Sequence, residues 1–409
     1  MLRRSVTLFF LLFIFTSTFS IALSQLSLGI CAAFFVVAAV RERFNPFAGG
    51  LRWFWIAVGA YIVWLVFVCL LQDEPLHSLN NIREEWLFVI IPIVVYLGQA
   101  RKTLDRIATV LAVGLVIVSI AALLSYIFRV EYHWGSGFVT LPETNPRVSG
   151  TFSMPLTFGN YMSVASLVVI GWALTQAGRW PVNRIIALGG GVLGFVAVLL
   201  CGGRGPAVAG LIGLLVLLAL LGRRSRRWGA GIIVAVLLIG VLMPSVRSRF
   251  TTELGYHFNP DWPGGRLFIW ERSLEMVADN PLTGIGPGNF DEEYKRRIGP
   301  EVTDRFWYQH AHNDFLEAAA RSGVPGAVTF GLLWVAVLFN FRRKWREYSA
   351  DSPERGWLTI ALVGSLVFLV GSVTEATFSD EEVRALLMLV WGLGLATVYN
   401  YRRSGPLRT

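Results

Sequence analysis

Charged residues are scarce in this chain. Asp, Glu, Lys and Arg make up 15% of the 409 residues, whereas a soluble domain carries about a quarter. Hydrophobic residues make up 54%, and the mean hydropathy is +0.57. This composition excludes an ordinary soluble enzyme. Apolar runs long enough to cross about 30 Å of hydrocarbon as helices recur along the chain, so the sequence predicts an all-α polytopic membrane protein.

About twelve runs of this length are predicted to span the membrane. None of them contains Asp, Glu, Lys, Arg or His. They divide the chain into residues 1–245 with nine spans, an outer loop over 246–323, and 324–409 with three spans and a cytoplasmic tail. The spans cover about 6–23, 26–40, 53–71, 86–99, 107–127, 157–175, 185–201, 205–221, 229–245, 324–341, 357–374 and 385–400.

Cysteine is nearly absent as well. Cys31, Cys69 and Cys201 lie in or beside apolar spans without CxxC spacing, which favours buried apolar side chains over metal or redox chemistry. The chain also has no Asp-x-Asp pair, a common cation site in enzymes with a diphosphate leaving group. We therefore expect a metal-free site without a cofactor, although Asp-x-Glu at 291–293 and 380–382 leaves the point open.

Basic residues predict the orientation of the chain. Lys and Arg are retained on the cytoplasmic side, and with the N-terminus inside, most of the 36 fall in short cytoplasmic segments. The formal net charge of +9 is then a topology signal that requires no nucleic-acid partner. Residues 1–24 resemble a signal peptide, but we expect them to be retained as the first span.

Two outer segments are long, about 129–156 and 246–323, and the first is predicted to be irregular. In the second, residues 266–279 have helical periodicity and are followed by Asn280-Pro281, which ends the helix. A glycine-rich turn, a short charged helix near 291–298 and a helix from about 313 to 321 that stops at Gly323 complete it. The predicted apolar stripe of the first helix is Leu267, Trp270, Leu274 and Val277.

Polar residues are densest over 307–314, which contains His310 and His312. A loop histidine is more often structural, and His-x-His with only Asp314 beside it is short of the ligands that a metal needs. His312, however, directly precedes a predicted helix, whose positive end disfavours the imidazolium. A histidine that is neutral near pH 7 is a competent general base.

Two arginines follow glycine pairs. Arg204 lies in Gly-Gly-Arg-Gly at the outer end of a span, and Arg266 begins the predicted helix after Gly264-Gly265. Interfacial arginines often contact only headgroups, but a guanidinium matches phosphate oxygens bidentately. Because both are predicted on the face that carries the histidines, the sequence indicates a metal-free diphosphate site there.

These residues and the topology resemble the O-antigen ligase/polymerase superfamily of bacterial envelope glycosyltransferases. The specific segments are 265–290 and 310–326, and elsewhere the resemblance is only topological. The resemblance implies transfer of a glycan from undecaprenyl diphosphate at the periplasmic face of the inner membrane, with His312 and Arg266 in the site. Arg204 matches less specifically. The residues expected around them are His310, Gln309, Tyr308 and Asn313.

One dominant outer loop and the length of 409 residues are more similar to O-antigen ligases than to the other members. The expected donor is an undecaprenyl-diphosphate-linked glycan, and the expected acceptor is lipid A–core. The alternatives are an O-antigen or exopolysaccharide polymerase and a protein O-oligosaccharyltransferase. A transporter of the lipid-linked glycan is less favoured. Proton-coupled transporters keep ionisable residues at mid-membrane depth, and none of the predicted spans contains such a residue.

Overall fold

The computed structural model describes residues 1–48, 50–133, 137–143, 146–175, 181–221, 223–242, 259–303 and 306–404. The helices are α1 (Leu2–Thr16), α2 (Ile21–Arg41), α3 (Arg52–Leu70), α4 (Pro75–Asn80), α5 (Ile90–Leu97), α6 (Arg101–Phe128), α7 (Pro155–Thr175), α8 (Pro181–Leu200), α9 (Arg204–Leu220), α10 (Arg223–Leu242), α11 (Arg266–Asp279), α12 (Phe290–Ile298), α13 (Pro300–Thr303), α14 (Asp314–Glu347), α15 (Pro353–Gly371) and α16 (Glu381–Ser404). A 3₁₀ helix (Arg83–Val89) precedes α5, and two strands, β1 (Val130–His133) and β2 (Gly137–Thr140), follow α6.

Eight helices within these ranges are long and apolar enough to cross a membrane, and they are α2, α3, α6, α7, α8, α14, α15 and α16. The helix α9 is apolar but has only 17 residues. This confirms the predicted all-α polytopic fold without confirming the count of twelve spans. The orientation of the chain, the division at residues 245 and 323 and the retained N-terminus stay predictions. Residues 243–258, where the large outer loop was predicted to begin, lie outside the described ranges.

The first and fourth predicted spans differ from the observed helices. The first was predicted to reach residue 23, but α1 ends at Thr16 and has 15 residues, about 22 Å at 1.5 Å per residue. Ser20 then caps α2, with its hydroxyl oxygen accepting a hydrogen bond from the Leu23 N–H at 3.4 Å. The fourth is a 3₁₀ helix followed by α5, whose residues other than Pro92 are buried. Hydropathy cannot distinguish such an interior helix from a short span.

A buried ion pair lies in the first turn of α16. Arg384 is 3% exposed, and its guanidinium is 3.7 Å from Glu84 and 3.2 Å from Glu85. Its Nε also donates to the Phe378 carbonyl. The sequence predicted a span without charged residues from about residue 385, and the helix that contains it, α16, begins four residues earlier, at Glu381. Pairing of this kind is how an ionisable side chain is tolerated inside a membrane bundle.

The first outer segment was predicted to be irregular, but it contains an antiparallel β1–β2 hairpin. Glu131 of β1 points inward and is 2% exposed. Its carboxylate accepts hydrogen bonds from the N–H and hydroxyl of Ser149, both at 2.8 Å, and from the N–H of Gly150 at 2.6 Å. This one buried carboxylate therefore fixes the chain that leads from the hairpin towards α7.

The second outer segment forms a small helical cap with its own core. The helix α11 has the predicted bounds, but its buried face is Ile269, Ser273 and Met276. The predicted stripe is wrong, since Leu274 is 59% exposed. Which face of α11 is buried depends on the residues that it packs against. The helical period of the apolar residues does not by itself distinguish between the two faces. The cap core consists of Ile269, Met276, Phe290, Tyr294, Ala311 and Ala320.

The predicted helix stop at Gly323 is confirmed as a kink within α14. Ser322 and Gly323 have non-helical backbone angles, and the φ of Gly323 is 71°. A Cβ at Gly323 would lie 2.2 Å from the Leu282 carbonyl oxygen. The glycine-rich turn packs into this kink, because the Ile285 N–H donates to the Ala320 carbonyl at 2.9 Å. The turn joins the cap to the membrane helices at this point.

Candidate functional site

His312 occupies a strained position directly before α14. Its φ is 51°, in the left-handed region that residues other than glycine seldom adopt. Asn313 caps the helix, with its side-chain oxygen accepting hydrogen bonds from the N–H groups of Phe315 and Leu316 at 3.0 Å. The predicted start of this helix is confirmed. Strained residues of this kind cluster at functional sites, where the surrounding structure holds them in place.

The segment between α15 and α16 supplies that support. Four hydrogen bonds join it to residues 313 and 314. The Asp314 N–H donates to the Ser372 carbonyl at 3.0 Å, and the Asn313 side-chain amide donates to the Val373 carbonyl at 3.1 Å. In the other direction, the Asp314 carboxylate accepts hydrogen bonds from the Thr377 hydroxyl and the Phe378 N–H, both at 2.9 Å. The backbone on either side of Glu375 is thus tied to the backbone that follows His312.

Glu375 joins the two site residues that the sequence predicted most specifically. One carboxylate oxygen lies 2.9 Å from His312 Nδ1, and the other accepts a hydrogen bond from Arg266 Nη2 at 2.5 Å. All three side chains are largely buried, with exposures of 10–13%. His312 Nε2 is buried and has no hydrogen-bond partner among the described residues. With Nδ1 donating to the carboxylate, Nε2 carries the lone pair that a base requires.

Burial sets the protonation of this group. The pKa of His312 lies below its usual value because burial disfavours the imidazolium, although Glu375 opposes the shift. Burial alone would raise the pKa of Glu375, but Arg266 and the hydrogen bond from His312 outweigh it and leave the pKa below its usual value. The imidazole is therefore neutral and the carboxylate ionised near pH 7. The sequence predicted a neutral histidine, and desolvation is the largest cause of the lowered pKa that keeps it neutral.

The remaining predicted neighbours of His312 lie at different distances from its ring. His310 is adjacent, with ring centroids 4.2 Å apart, and burial together with His312 lowers its pKa to about 3. Tyr308 packs edge-on at 5.2 Å, while its hydroxyl donates to the Gly264 carbonyl at 3.3 Å. Gln309 is exposed, and Asn313 serves the helix cap described above.

Arg204 is the first residue of α9 and is half-buried. The adjacent Gly205 lies so close to the α15–α16 segment that a Cβ there would stand 2.7 Å from the hydroxyl of Thr374, the residue before Glu375. The start of α9, beside Arg204, and the side chain of Arg266 thus both approach this one short segment, at Thr374 and at Glu375. Arg147, from the first outer segment, donates from Nε to the carbonyl of Cys201 at 3.2 Å. Cys201 lies in the short connection between α8 and α9 that directly precedes Arg204.

Sequence reasoning missed Glu375. It lies 63 residues after His312, outside every quoted motif and between the last two spans. The only available signal was an acidic residue in a short outer connection. In the described ranges, no group of three or more His, Cys, Asp or Glu side chains could hold a metal ion.

The site is a buried histidine whose Nδ1 is engaged by a carboxylate and whose Nε2 is unpaired, with a guanidinium on the other side of that carboxylate. This arrangement is suited to general-base catalysis, because the carboxylate fixes the tautomer and stabilises the imidazolium that forms. The nearby arginines are suited to a leaving group that develops negative charge.

Comparisons with known proteins relate this chain to one protein family and to one curated protein. A family model described as O-antigen ligase matches residues 189–331, a range that includes Arg204, Arg266 and His312 but not Glu375. The exopolysaccharide production protein ExoQ of Rhizobium meliloti (strain 1021) is 24% identical over 152 residues, which is 35% of this chain and 33% of that protein. The chain thus matches about a third of the length of this curated relative.

Proposed function

Since this chain belongs to the O-antigen ligase/polymerase superfamily, whose members are membrane enzymes that transfer glycosyl groups, we propose that it is an O-antigen ligase. The donor is a polysaccharide on undecaprenyl diphosphate, and the acceptor is a hydroxyl of lipid A–core. The reaction takes place at the periplasmic face of the bacterial inner membrane. The observation that carries the proposal is the buried His312–Glu375–Arg266 group, in which Nε2 of the histidine is unpaired.

The proposed reaction is a single displacement. His312 Nε2 takes the proton from the acceptor hydroxyl as its oxygen attacks the anomeric carbon of the donor glycan. The bond between this carbon and the diphosphate oxygen breaks, and undecaprenyl diphosphate leaves with the electron pair, so the anomeric configuration is inverted. Glu375 holds His312 in the productive tautomer and stabilises the imidazolium. His310 and Tyr308 line the ring of the base.

Arg204 and Arg266 are proposed to neutralise the leaving diphosphate without a metal. Guanidinium groups can stabilise the charge that develops on a leaving phosphate. Arg266 also pairs with Glu375, so it has two roles in the proposal. One nitrogen positions the carboxylate, and the other donors of its planar group remain for phosphate oxygens.

We expect Arg266→Ala to slow transfer roughly ten- to a hundred-fold, since a hydrogen bond to a charged group is worth about 1.5–3 kcal/mol. Arg266→Lys should restore only part of the rate, because a point charge cannot reproduce the bidentate fork. Arg204→Ala should give a loss of similar size. The measurement is the transfer rate of purified protein in detergent, in the presence of EDTA, with a lipid-linked donor and a core acceptor.

The pH dependence of the rate distinguishes a role of Arg266 in the site from a purely structural role in the cap. Arg266 lowers the pKa of His312, so its removal should move the acid limb of the rate profile to higher pH. The control is Arg272→Ala, because Arg272 lies on the same helix but pairs with Glu275 at 2.5 Å. An Arg266→Ala enzyme with the wild-type rate and acid limb would remove this residue from the site.

A deletion strain distinguishes the proposed ligase from its relatives. Loss of a ligase leaves bare lipid A–core, with full-length polymer retained on the carrier. Loss of an O-antigen polymerase leaves core that bears a single repeat. Gel electrophoresis and mass spectrometry of the lipopolysaccharide separate these outcomes.

The similarity to ExoQ favours one second candidate, an exopolysaccharide polymerase with the same His312 chemistry. Its loss would abolish the exopolysaccharide and leave the lipopolysaccharide unchanged. A transporter of the lipid-linked glycan would require a sealed membrane, whereas either enzyme should join donor to acceptor in detergent.

A further inference from the structure

A buried amide in α7 lacks a hydrogen-bond partner. Asn160 is 5% exposed, and its Nδ2 is buried without a partner among the described residues. An amide taken out of water without a compensating hydrogen bond is costly, and such groups in native structures call for an explanation. By contrast, Asn340 in α14 satisfies its side-chain amide within its own helix, by donating to the Ala336 carbonyl at 2.8 Å.

Asn160 lies where three helices meet. On one side, a Cβ on Gly371, the last residue of α15, would stand 3.0 Å from its Oδ1. On the neighbouring face of α7, a Cβ on Gly159 would stand 2.5 Å from Cys201 Sγ. One turn further, Ser163 donates from its hydroxyl to the Pro206 carbonyl at 2.8 Å. The side chain of Asn160 thus faces the end of α15, while its neighbours Gly159 and Ser163 pack against the start of α9.

The same junction continues into the proposed site. Gly205 closely approaches Thr374, and the next residue is Glu375, which contacts His312 and Arg266. An acidic residue lies near the start of α7, since the carboxylate of Asp380 accepts a hydrogen bond from the Thr157 hydroxyl at 3.0 Å. Burial raises the pKa of Asp380 to about 7, which reduces its negative charge.

We propose that the Asn160 side-chain amide donates a hydrogen bond to a phosphate oxygen of the polyprenyl diphosphate carrier. The inference rests on the proposed function, because it assigns a further residue to the donor site. Asn160 is five residues into α7, about 8 Å from the helix start at 1.5 Å per residue. At that depth the amide meets the diphosphate, which joins the lipid in the bilayer to the glycan outside it. The glycan itself stays in the aqueous phase.

The test measures binding of undecaprenyl diphosphate and of undecaprenyl monophosphate to purified full-length protein in detergent. The variants are Asn160→Ala and the isosteric Asn160→Asp, with Asn340→Ala as the matched control. Loss of a hydrogen bond to a charged group weakens binding roughly tenfold or more. We expect that loss for Asn160→Ala, and a larger one for Asn160→Asp in alkaline buffer, where its buried carboxyl is ionised and repels the phosphates. Asn340→Ala should bind like the wild type.

Transfer kinetics distinguish a binding residue from a structural one. The Asn160 variants should raise the KM for the donor while the KM for the acceptor and the melting temperature stay unchanged. Wild-type affinity for the diphosphate in both Asn160 variants would overturn the inference and leave the proposed function intact. Equal loss of acceptor and donor affinity with a lowered melting temperature would also overturn it. A wild-type protein that binds neither lipid would overturn the proposed function as well.

Discussion

Replacing His312 by alanine is expected to lower glycan transfer roughly 10²–10⁴-fold, the usual contribution of a positioned general base. The fold should survive, because alanine removes a ring at the boundary of the cap core and leaves the Asn313 cap and its hydrogen bonds to Phe315 and Leu316 in place. Transfer rate and melting temperature are measured together on purified protein. A large loss of rate at an unchanged melting temperature is the expected result.

The control for this variant is His310→Ala. The two rings are 4.2 Å apart, so they share their surroundings, but only His312 bonds Glu375. We expect His310→Ala to retain much more activity than His312→Ala. Near-wild-type activity in both variants would exclude His312 as the base.

The wild-type pH profile gives a second measure of the same residue. A base must be neutral, and burial lowers the pKa of His312, so the rate should stay constant around pH 7. It should fall only as the medium becomes more acidic than the usual pKa of a histidine, about 6.5. A profile that rises towards acid pH would contradict a basic role for this imidazole.

The second large effect is expected for Glu375, which the motifs did not indicate. Removing its carboxylate frees His312 Nδ1 and leaves Arg266 without its partner. In serine proteases, loss of the equivalent carboxylate function lowers turnover about 10⁴-fold through the wrong tautomer. We therefore expect Glu375→Ala to lose about 10²–10⁴-fold and Glu375→Gln to be comparably impaired, since an amide can donate to Nδ1 and leave the proton on Nε2.

The direction of the pH shift identifies the role of Glu375. Its hydrogen bond and charge raise the pKa of His312. The residual activity of Glu375→Gln should therefore have its acid limb at lower pH than the wild type, opposite to the shift expected for Arg266→Ala. Glu381→Gln is the control, since Glu381 bonds neither His312 nor Arg266. A Glu375→Gln enzyme with wild-type rate and profile would make this residue a structural tie only.

Local pattern predicted much of the cap. The helix at 266–279 has its predicted bounds because Gly265 and Asn280-Pro281 are breakers that act on their immediate neighbours. The helix stop at Gly323 was predicted for the same reason, and the structure has a kink there, where the φ of 71° favours glycine. The buried face of the helix was predicted wrongly, because the side that is covered depends on Phe290, Tyr294 and the other cap residues that pack against it.

Long-range contacts account for what was missed. Glu375 and His312 are 63 residues apart and belong to different inter-helix segments, so no spacing rule joins them. Asn160 and Gly371 are brought together by the packing of α7 against α15. Likewise, the charge of Arg384 is tolerated within a span because the 3₁₀ helix before α5 carries Glu84 and Glu85 to it.

The sequence by itself determined the membrane class, most helix positions, and His312, Arg266 and Arg204 as candidates, because hydropathy, helix breakers and residue chemistry are local properties. The tertiary structure decided which of these side chains meet and in which protonation state. Burial makes His312 neutral, and the α15–α16 segment brings Glu375 between it and Arg266. The packing of α7 against α15 leaves the Asn160 amide without a partner among the described residues. These results depend on desolvation and on contacts between distant residues, which exist only once the helices are packed.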